Sequence, residues 1–441
     1  MKLEVSKGAN PNYLAKVVKL KNLQKHSNAD RLQTVVIDFQ TVVTGIDAKE
    51  GDLYVYFPVE CKINKNFLSF TNSFREKSLN RDKEQAGFFE ENCRVKAVRL
   101  RGEKSCGYIV PIKTIEEFTN TNISDSVGVE FDTIGSIKIL EKYVVKSAEP
   151  SIIKQGKKPK VSRLIEGQIH LHVDTENLRK NAFKIKPDDL ISVTYKTHGT
   201  SWWVSNVLVK KKLTWFEKVL QKVGVNIVDT EYNLVYGSRK VVKNQFLEDP
   251  KAKDHFFGYD LWEDIKNDVG EFIPKGYTLY GECIGFDKNG KYIQAEYDYG
   301  CEQGKYKLEV YRITNTNPDG IVTELSYSQI EEFCNKFGLK SSHPYYIGKE
   351  RGLYNHLFDF NEEVDERSNL KEWQENFVAQ LEKDYNEKNC FLCVNCVPEE
   401  GVVVRKESLF SCESYKLKSF AFLEKESKDL DKGEVNIEDN E

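Results

Sequence analysis

Alternating apolar and polar positions dominate the first third of the chain. Residues 14–20, 32–38, 40–45 and 52–57 are short segments rich in β-branched residues, and a further segment of this kind covers residues 93–102. Alternation with period two places apolar side chains on one face of a strand. Short strands at close spacing, with little helical pattern between them, are typical of a small barrel. The pattern therefore predicts a β-barrel within residues 1–145.

The pattern changes after residue 164, where helical and strand-like segments are mixed. Apolar residues recur at helical spacing in residues 215–223, 328–334 and 370–385, which predicts amphipathic helices. Apolar runs at residues 190–193 and 202–204 are predicted to be strands. The mixture predicts an α+β second domain over residues 164–423.

Two segments lack the apolar positions that a core needs. Residues 146–163 contain clustered lysines around a glycine and a proline, and we interpret them as a basic interdomain linker. Either a solvated hinge or a strap that contacts phosphates is compatible with this composition. Residues 424–441 are acidic and are predicted to fray into solvent as a tail.

Composition narrows the class of protein. Of 441 residues, 39% are hydrophobic and 12% aromatic, which excludes a disordered chain. The formal net charge of −4 means that a nucleic-acid-binding protein of this composition needs local basic grooves. No apolar run is long enough to span a bilayer, and the first residues lack the apolar core of a signal peptide. Ten cysteines in so long a chain do not suggest a disulfide framework, so a cytoplasmic location is expected.

Three lysines are candidates for chemistry. Lys196 is predicted to lie in a short polar turn between two strands, and a lysine becomes a nucleophile where burial or nearby cations lower its pKa. Lys416 and Lys418 occupy alternate positions of a predicted strand, so both ammonium groups lie on one face. Two like charges on one face favour binding of an anion such as a nucleotide phosphate. A solvent-facing strand is the alternative.

Two glutamates adjoin glycines at the edges of apolar strands, Glu282 after Gly281 and Glu400 before Gly401. Glycine at such a position allows the backbone to approach a ligand closely. A carboxylate there can accept a ribose hydroxyl or hold water on Mg²⁺. Taken singly, each glutamate is also compatible with an ordinary surface position.

Six segments in a fixed order resemble the motifs of covalent nucleotidyltransferases, the superfamily of ATP-dependent ligases and mRNA capping enzymes. They are Lys-Thr-His-Gly at 196–199, Gly-Ser-Arg at 237–239, Tyr-Gly-Glu at 280–282, Val-Tyr-Arg-Ile at 310–313, Glu-Gly-Val-Val at 400–403 and Lys-Leu-Lys at 416–418. His198 is typical of nick-sealing RNA ligases, whereas DNA ligases and capping enzymes more often carry Asp there. The resemblance covers about residues 195–422.

The resemblance implies a nucleotide site. Lys196 would carry AMP covalently, Glu282 would bind the ribose, and Tyr311 would stack on adenine. Lys416 and Lys418 would hold the phosphates. ATP is then a co-substrate, and the implied fold is an antiparallel-sheet adenylation domain.

The same resemblance implies roles for three further residues. Glu400 would serve a Mg²⁺ or Mn²⁺ ion, Arg239 would contact a substrate phosphate, and His198 would aid transfer of AMP. The implied enzyme is an ATP-dependent RNA ligase, which joins a 3′-hydroxyl end to a 5′-phosphate end, expected in a nicked duplex. A DNA ligase, a GTP-dependent capping enzyme and a non-catalytic RNA-binding factor are the alternatives.

The N-terminal part is similar to the OB-fold module of tRNA-binding and synthetase-associated proteins, at residues 26–32, 42–45 and 101–108. An OB module ahead of a Lys-x-His-Gly core resembles the OB-first branch of nick-sealing RNA ligases. Such a module would bind nucleic-acid backbone through basic and aromatic side chains. The candidates are Arg94, Lys96, Arg99 and Arg101, for which a plain sheet face is the alternative.

Two further groups have metal-like spacing. Cys390, Cys393 and Cys396 follow one another at intervals of three, with Cys412 as a distant fourth candidate, yet structural zinc needs four ligands. Free thiols are therefore expected and structural zinc is not. His170 and His172 alternate as on a strand and are interpreted as a partly buried structural pair.

Overall fold

The structure is a computed structural model that describes residues 3–145, 163–172, 174–243, 257–349, 352–353 and 366–433. The predicted basic linker lies outside the described residues except for Arg163, whose Nε donates to the carbonyl of Lys210 at 2.7 Å. Two regions of regular structure follow one another in the described chain, and a cleft is formed mainly by the second.

Residues 3–145 form the predicted small β domain. Its strands are Leu3–Glu4 (β1), Ala15–Lys19 (β2), Gln24–Lys25 (β3), Leu32–Ile37 (β4), Gln40–Gly45 (β5), Leu53–Phe57 (β6), Cys61–Ile63 (β7), Ala97–Leu100 (β8), Glu103–Cys106 (β9), Tyr108–Pro111 (β10), Glu130–Phe131 (β11), Thr133–Ile134 (β12), Ile137–Lys138 (β13) and Leu140–Lys142 (β14). Helices span Lys65–Phe70 and Ile112–Thr119.

The strands of this domain pair antiparallel around two buried apolar clusters, one of which contains Val35, Ile37 and Val42. One sheet has the order β10–β6–β2–β11, and β3–β4–β5, β8–β9, β1–β12–β13 and β7–β14 pair beside it. Val17, Val55 and Phe57 belong to the other cluster. The strand expected over residues 93–102 covers only Ala97–Leu100. Cys93 and Arg101, with φ of 61° and 49°, adopt left-handed conformations that extended backbone does not accommodate.

The second region contains the strands that flank the predicted motifs. They are Glu176–Asn177 (β15), Leu190–Lys196 (β16), Thr200–Lys210 (β17), Thr230–Ser238 (β18), Val242–Lys243 (β19), Tyr277–Gly285 (β20), Tyr306–Thr316 (β21), Val322–Glu324 (β22), Lys340–Ser341 (β23), Pro344–Lys349 (β24), Gly401–Glu407 (β25) and Cys412–Lys418 (β26). The helices are Leu178–Asn181, Trp215–Lys222, Leu261–Val269, Tyr327–Phe337, Glu366–Tyr385 and Phe420–Asp431.

These strands build two sheets. The first, with the order β15–β26–β25–β16–β24, packs against the long helix Glu366–Tyr385 through residues such as Val402 and Phe377. The second has the order β19–β18–β17–β20–β21–β22, and it packs against Leu261–Val269 and Tyr327–Phe337. Nearly all pairings are antiparallel, and the predicted α+β class is confirmed.

Local sequence explains why the helices begin where they do. Thr214 and Ser326 precede the helices Trp215–Lys222 and Tyr327–Phe337, and each forms a capping box with the side chain three residues later. The helix Leu261–Val269, which the sequence interpretation missed, buries Leu261, Ile265 and Val269 at helical spacing. Among the described residues, no helix has the length and apolar character needed to cross a bilayer.

The predicted acidic tail does not fray at its start. The helix Phe420–Asp431 continues through the first residues assigned to that tail, and Leu423 packs with Val59 and Cys106 of the N-terminal domain. The prediction is therefore wrong over residues 424–431, because the acidic side chains there find cationic partners on the neighbouring domain.

Those partners are three of the basic residues assigned to nucleic-acid backbone. The guanidinium of Arg94 is buried against Asp431 and donates to the carbonyl of Ser427 at 2.6 Å. Lys96 contacts the same Asp431 at 2.7 Å. Arg99 likewise lies 3.7 Å from Glu424. These side chains hold the C-terminal helix to the N-terminal domain. Of the four candidates only Arg101, which is exposed, forms no ion pair with another described residue.

Substituting Arg94 tests the strength of this interface. Arg94→Met leaves the carbonyl of Ser427 and one oxygen of Asp431 without a buried donor, so we expect the free energy of unfolding to fall by about 2 kcal/mol. Thermal unfolding followed by fluorescence measures the change. The control is Lys65→Met, which removes an exposed ion pair with Glu91 and should leave the melting temperature unchanged. Equal melting of Arg94→Met and wild type would contradict the assignment.

Candidate active site

Strand register brings two of the predicted lysines to one point of the first sheet. Lys196 is the last residue of β16 and pairs with Gly401 of β25, which pairs in turn with Lys418 of β26. The lysine expected in a turn is thus still part of a strand. Adjacent strands lie about 4.8 Å apart, so the Cα atoms of Lys196 and Lys418 are separated by about 10 Å. Residues that are 222 positions apart in sequence are neighbours here.

Gly401, between these two lysines, cannot be replaced by a residue with a side chain. Its φ is 139°, and a Cβ atom would lie 2.0 Å from the carbonyl oxygen of Leu417. Because Gly401 has no side chain, β25 and β26 can approach closely at this point, and the preceding residue, Glu400, lines the cleft.

Glu400 contacts both residues of the Lys-x-His segment. Its Oε1 lies 2.6 Å from Nζ of Lys196, and its Oε2 lies 3.6 Å from Nδ1 of His198. The Glu400 side chain is only 4% exposed, and its Oε2 is buried without a hydrogen-bond partner among the described residues. A buried carboxylate oxygen in this state is suited to a cation or a bound water.

The second sheet supplies Glu282. In the antiparallel register Ser201 of β17 lies opposite Glu282 of β20, and the Ser201 hydroxyl donates to Glu282 Oε1 at 2.9 Å. Gly281 precedes it, and a Cβ there would lie 2.3 Å from the carbonyl oxygen of Glu309. As at Gly401, the absence of a side chain allows strands to approach closely beside a carboxylate of the cleft.

A β-bulge positions Tyr311. The pairing of β20 with β21 shifts after Tyr280, which lies opposite Arg312, whereas Gly281 lies opposite Val310. Tyr311 is thus the extra residue of the bulge, a feature that redirects a side chain. Its hydroxyl lies 3.0 Å from Nδ1 of His172. His172, interpreted from sequence as half of a structural pair with His170, therefore also contacts a predicted site residue.

Arg239 directly follows β18 and contacts a carboxylate that was not predicted. Its Nη2 and Nε donate to Oδ1 of Asp174 at 2.7 and 3.1 Å. Burial alone would raise the pKa of Asp174, but the charges of Arg239 and Lys240 outweigh it and lower that pKa. Asp174 therefore remains ionised and orients the guanidinium.

All of these groups line one cleft of about 440 Å³. Every predicted site residue is among them: Lys196, His198, Arg239, Glu282, Tyr311, Glu400, Lys416 and Lys418. A cleft of this volume falls in the range typical of small-molecule sites. On the side of β26 the lining includes Lys416 and Lys418 together with Glu60, Glu413 and Glu426.

Lys418 connects the cleft to the N-terminal domain. Its Nζ lies 2.9 Å from Oε1 of Glu60 and 3.5 Å from Oε2 of Glu426. Burial alone would lower the pKa of Lys418, but the charges of Glu426 and Glu60 raise it well above its ordinary value. Burial likewise opposes ionisation of Glu60, yet Lys418 lowers the pKa of that carboxyl to about 2.

Lys416 is in the opposite situation. Burial, together with the like charges of Lys418 and Lys196, lowers its pKa from 10.5 to about 8. Its ammonium forms no ion pair with another described residue. The cleft thus holds a desolvated cationic group that a bound anion would stabilise.

Comparison with solved structures identifies this arrangement of sheets. Naegleria gruberi RNA ligase in a variant bound to ATP and Mn matches with a TM-score of 0.56 at 16% identity, covering 93% of this chain and 98% of the ligase. The same ligase with PPi matches with a TM-score of 0.56 at 16% identity, covering 94% and 99%. The chain has the fold of these RNA ligases. No curated protein sequence matches significantly.

A family model described as an OB-fold domain matches residues 14–112. The predicted N-terminal OB module is therefore confirmed over residues 14–112. It covers the strands β2 to β10 and the residue Glu60 that contacts Lys418.

Three carboxylates that contact predicted site residues were missed from sequence: Glu60, Asp174 and Glu426. None follows a strand–glycine pattern such as the one that drew attention to Glu282 and Glu400. Glu60 lies in the other domain, 358 positions from Lys418, so no local spacing could indicate the contact. Of the cysteines singled out earlier, Cys390 is buried, Cys393 half-buried and Cys396 exposed, and these three do not line the cleft, whereas Cys412 does. Among the described residues no group of three or more His, Cys, Asp and Glu is arranged as a metal site.

The pKa of Lys416 yields a stability prediction. Below a pH of about 8 the lysine is charged in both folded and unfolded chains, and folding carries the full cost of burying it. Between about pH 8 and 10.5 the unfolded state binds more protons, so this cost declines as pH rises. Lys416→Met should therefore stabilise the nucleotide-free protein at pH 7, by up to about 3 kcal/mol.

Melting temperatures of wild type and Lys416→Met between pH 7 and 10 measure this difference, which should shrink toward the upper end. The matched control is Lys406→Met on the neighbouring strand, which loses an ion pair with Asp189 at 2.9 Å and should not be stabilised. A lower melting temperature of Lys416→Met at pH 7 would refute the interpretation.

Proposed function

We propose that this protein is an ATP-dependent RNA ligase that joins a 3′-hydroxyl end to a 5′-phosphate end. The observation that carries the proposal is the convergence of Lys196, Glu400, Lys416 and Lys418 in one cleft, fixed by the register of three neighbouring strands. The fold shared with an RNA ligase that binds ATP and Mn supports it.

In the first step the amine of Lys196 attacks the α-phosphorus of ATP. A nitrogen–phosphorus bond forms while the bond from the α-phosphorus to the bridging oxygen breaks, and pyrophosphate leaves. The ammonium must first lose a proton, and Oε1 of Glu400 at 2.6 Å is placed to accept it. The product is a lysyl-AMP phosphoramidate on Lys196.

Residues from both sheets would orient the nucleotide. Glu282, held by Ser201, would accept a ribose hydroxyl, and the ring of Tyr311 would stack on adenine. Lys416 and Lys418 would neutralise the phosphates, whose charge would offset the repulsion between the lysines. Catalysis here depends on positioning and on charge neutralisation.

The residues also fit a divalent cation of the Mg²⁺ or Mn²⁺ class. Oxygen ligands are what these ions prefer, and Oε2 of Glu400 is a buried carboxylate oxygen with no hydrogen-bond partner among the described residues. When bound, the ion would act as a Lewis acid on the phosphate. Glu400 is the residue that would hold it, directly or through water.

The later steps transfer AMP to nucleic acid and release it. An oxygen of the 5′-phosphate end attacks the phosphorus of lysyl-AMP, and the amine of Lys196 leaves. The 3′-hydroxyl then attacks the phosphorus of the activated end, forms the phosphodiester and releases AMP. Arg239 would contact a substrate phosphate in exchange for Asp174, and His198 would assist AMP transfer beside Glu400.

Covalent labelling tests the first step. Incubation with α-labelled ATP and Mg²⁺ should yield a stable protein–AMP adduct, and Lys196→Ala should reduce it by at least about a thousandfold, because the nucleophile is absent. Lys349→Ala, which removes an exposed lysine paired loosely with Asp188 at 3.8 Å, is the control and should label like wild type.

Other labelling outcomes separate the alternatives. Preferential labelling by GTP would favour a capping-type enzyme. Absence of any adduct on the wild-type protein would instead favour a non-catalytic RNA-binding factor.

A paired nick assay tests the preference for RNA. We expect duplexes whose nick ends in a ribose 3′-hydroxyl to be sealed at least about tenfold faster than those ending in deoxyribose, since a 2′-hydroxyl offers the protein an additional hydrogen bond. Gel separation of sealed and nicked strands gives both rates. Equal or faster sealing of the deoxyribose nick would point to a DNA ligase.

A further inference from the structure

The connection between β17 and β18 exposes an unusual number of large apolar side chains. It contains the helix Trp215–Lys222, in which Trp215 is 78% exposed and Phe216 59% exposed. Val223 and Val228, which follow the helix, are 71% and 74% exposed. A cluster of exposed apolar residues of this kind marks an interaction surface. We call residues 210–228 the apolar excursion.

Helical geometry gathers these side chains on one side. Each residue advances by 100°, so Trp215, Phe216, Val219 and Val223 occupy one arc of about 100°. Lys218 and Lys222 lie at the border of this arc, next to Trp215. Leu220, which is only half-buried, continues the arc on the other side. The helix therefore presents an apolar stripe with a lysine margin to solvent.

The charge of the apolar excursion differs from that of the chain. Residues 210–228 contain five lysines and one acidic residue, Glu217, whereas the whole chain has a formal net charge of −4. Glu217 already contacts Lys211 at 2.6 Å and caps the helix with Thr214. The other lysines are exposed: Lys210, Lys212, Lys218 and Lys222. The surface is thus locally cationic as well as apolar.

This surface lies far from the candidate active site. The paired strands β17 and β18 extend from Trp202 and Ser238 beside the cleft to Lys210 and Thr230 at the excursion. At about 3.3 Å per residue, the distance is about 26 Å. The side chains of the apolar excursion are therefore too far from the cleft to contact a nucleotide bound there.

We propose that the apolar excursion docks on a lipid bilayer with anionic headgroups. A membrane interface accepts Trp, Phe and Val side chains at the boundary of the acyl chains and attracts lysines to its headgroups. RNA would attract the lysines but offers aliphatic residues such as Val219 and Val223 no partner. An uncharged protein groove would suit the valines but would not favour a lysine margin.

Intrinsic fluorescence provides a direct reporter. All five tryptophans of the sequence lie in the described residues. Trp202, Trp203, Trp262 and Trp373 are at most 5% exposed, so a change in emission on binding reports Trp215. Added to the full-length protein, phosphatidylcholine vesicles containing phosphatidylserine should shift the emission to the blue and sediment the protein. Vesicles of phosphatidylcholine alone should do so at least about tenfold less, and high salt should weaken binding.

Variants connect the effect to this surface. Trp215→Ser combined with Phe216→Ser, and separately Lys218→Glu combined with Lys222→Glu, should each reduce sedimentation with anionic vesicles at least about tenfold. The matched control combines Leu409→Ser with Phe410→Ser, which alters an exposed apolar pair in the turn between β25 and β26. It should bind vesicles like wild type. All variants should retain wild-type melting temperatures, since the altered side chains are exposed.

Several outcomes would overturn the proposal. No binding to either vesicle, or equal binding to both, would exclude an anionic bilayer as the partner. A blue shift with nicked RNA duplex but not with vesicles would assign the surface to nucleic acid. A concentration-dependent increase in mass that the Trp215→Ser, Phe216→Ser variant abolishes, without vesicle binding, would assign it to self-association. None of these readouts depends on ligase activity, so failure here leaves the proposed function untouched.

Discussion

The arrangement of the cleft depends on three lysine ammonium groups that the fold places close together. Lys196, Lys416 and Lys418 would repel one another without compensating charge, and each is compensated differently. Lys196 contacts Glu400 at 2.6 Å and Lys418 contacts Glu60 at 2.9 Å, whereas Lys416 responds with a pKa lowered to about 8. Burial of Lys416 therefore destabilises the ligand-free cleft, and the charge of a bound anion would offset this cost. Burying the charge of Lys416 lowers the stability of the nucleotide-free protein, whereas the same charge would favour binding of an anion.

Backbone geometry is what fixes this charge cluster in place. The register of β16, β25 and β26 aligns Lys196, Gly401 and Lys418 across three strands, and a one-residue slip would turn the side chains to the opposite face. Gly401 and Gly281 keep these positions because a Cβ atom at either would collide with the backbone of the adjacent strand. Each glycine adjoins a carboxylate of the cleft, so a substitution that moved the backbone at either glycine would also move that carboxylate.

The N-terminal domain completes the site and is held by the C-terminal helix. Glu60 reaches Lys418, and Arg94 and Lys96 bind Asp431 at the end of the helix Phe420–Asp431. The basic residues expected to bind nucleic acid thus have a structural role at this interface. The N-terminal β domain is thus part of the same charge network as Lys416 and Lys418.

By itself the sequence determined the α+β class and the N-terminal β domain, and its resemblance to the nucleotidyltransferase motifs named the eight candidate residues that line the cleft. Strand alternation, helical periodicity and glycine-flanked carboxylates depend on neighbours within a few residues, and therefore remain visible in the linear order. The position of Lys196 at the end of a strand, the bulge that directs Tyr311 and the contacts of Glu60, Asp174 and Glu426 were decided only by tertiary structure. These features arise from strand pairing and domain packing between residues far apart in the chain, and no local pattern encodes such partners.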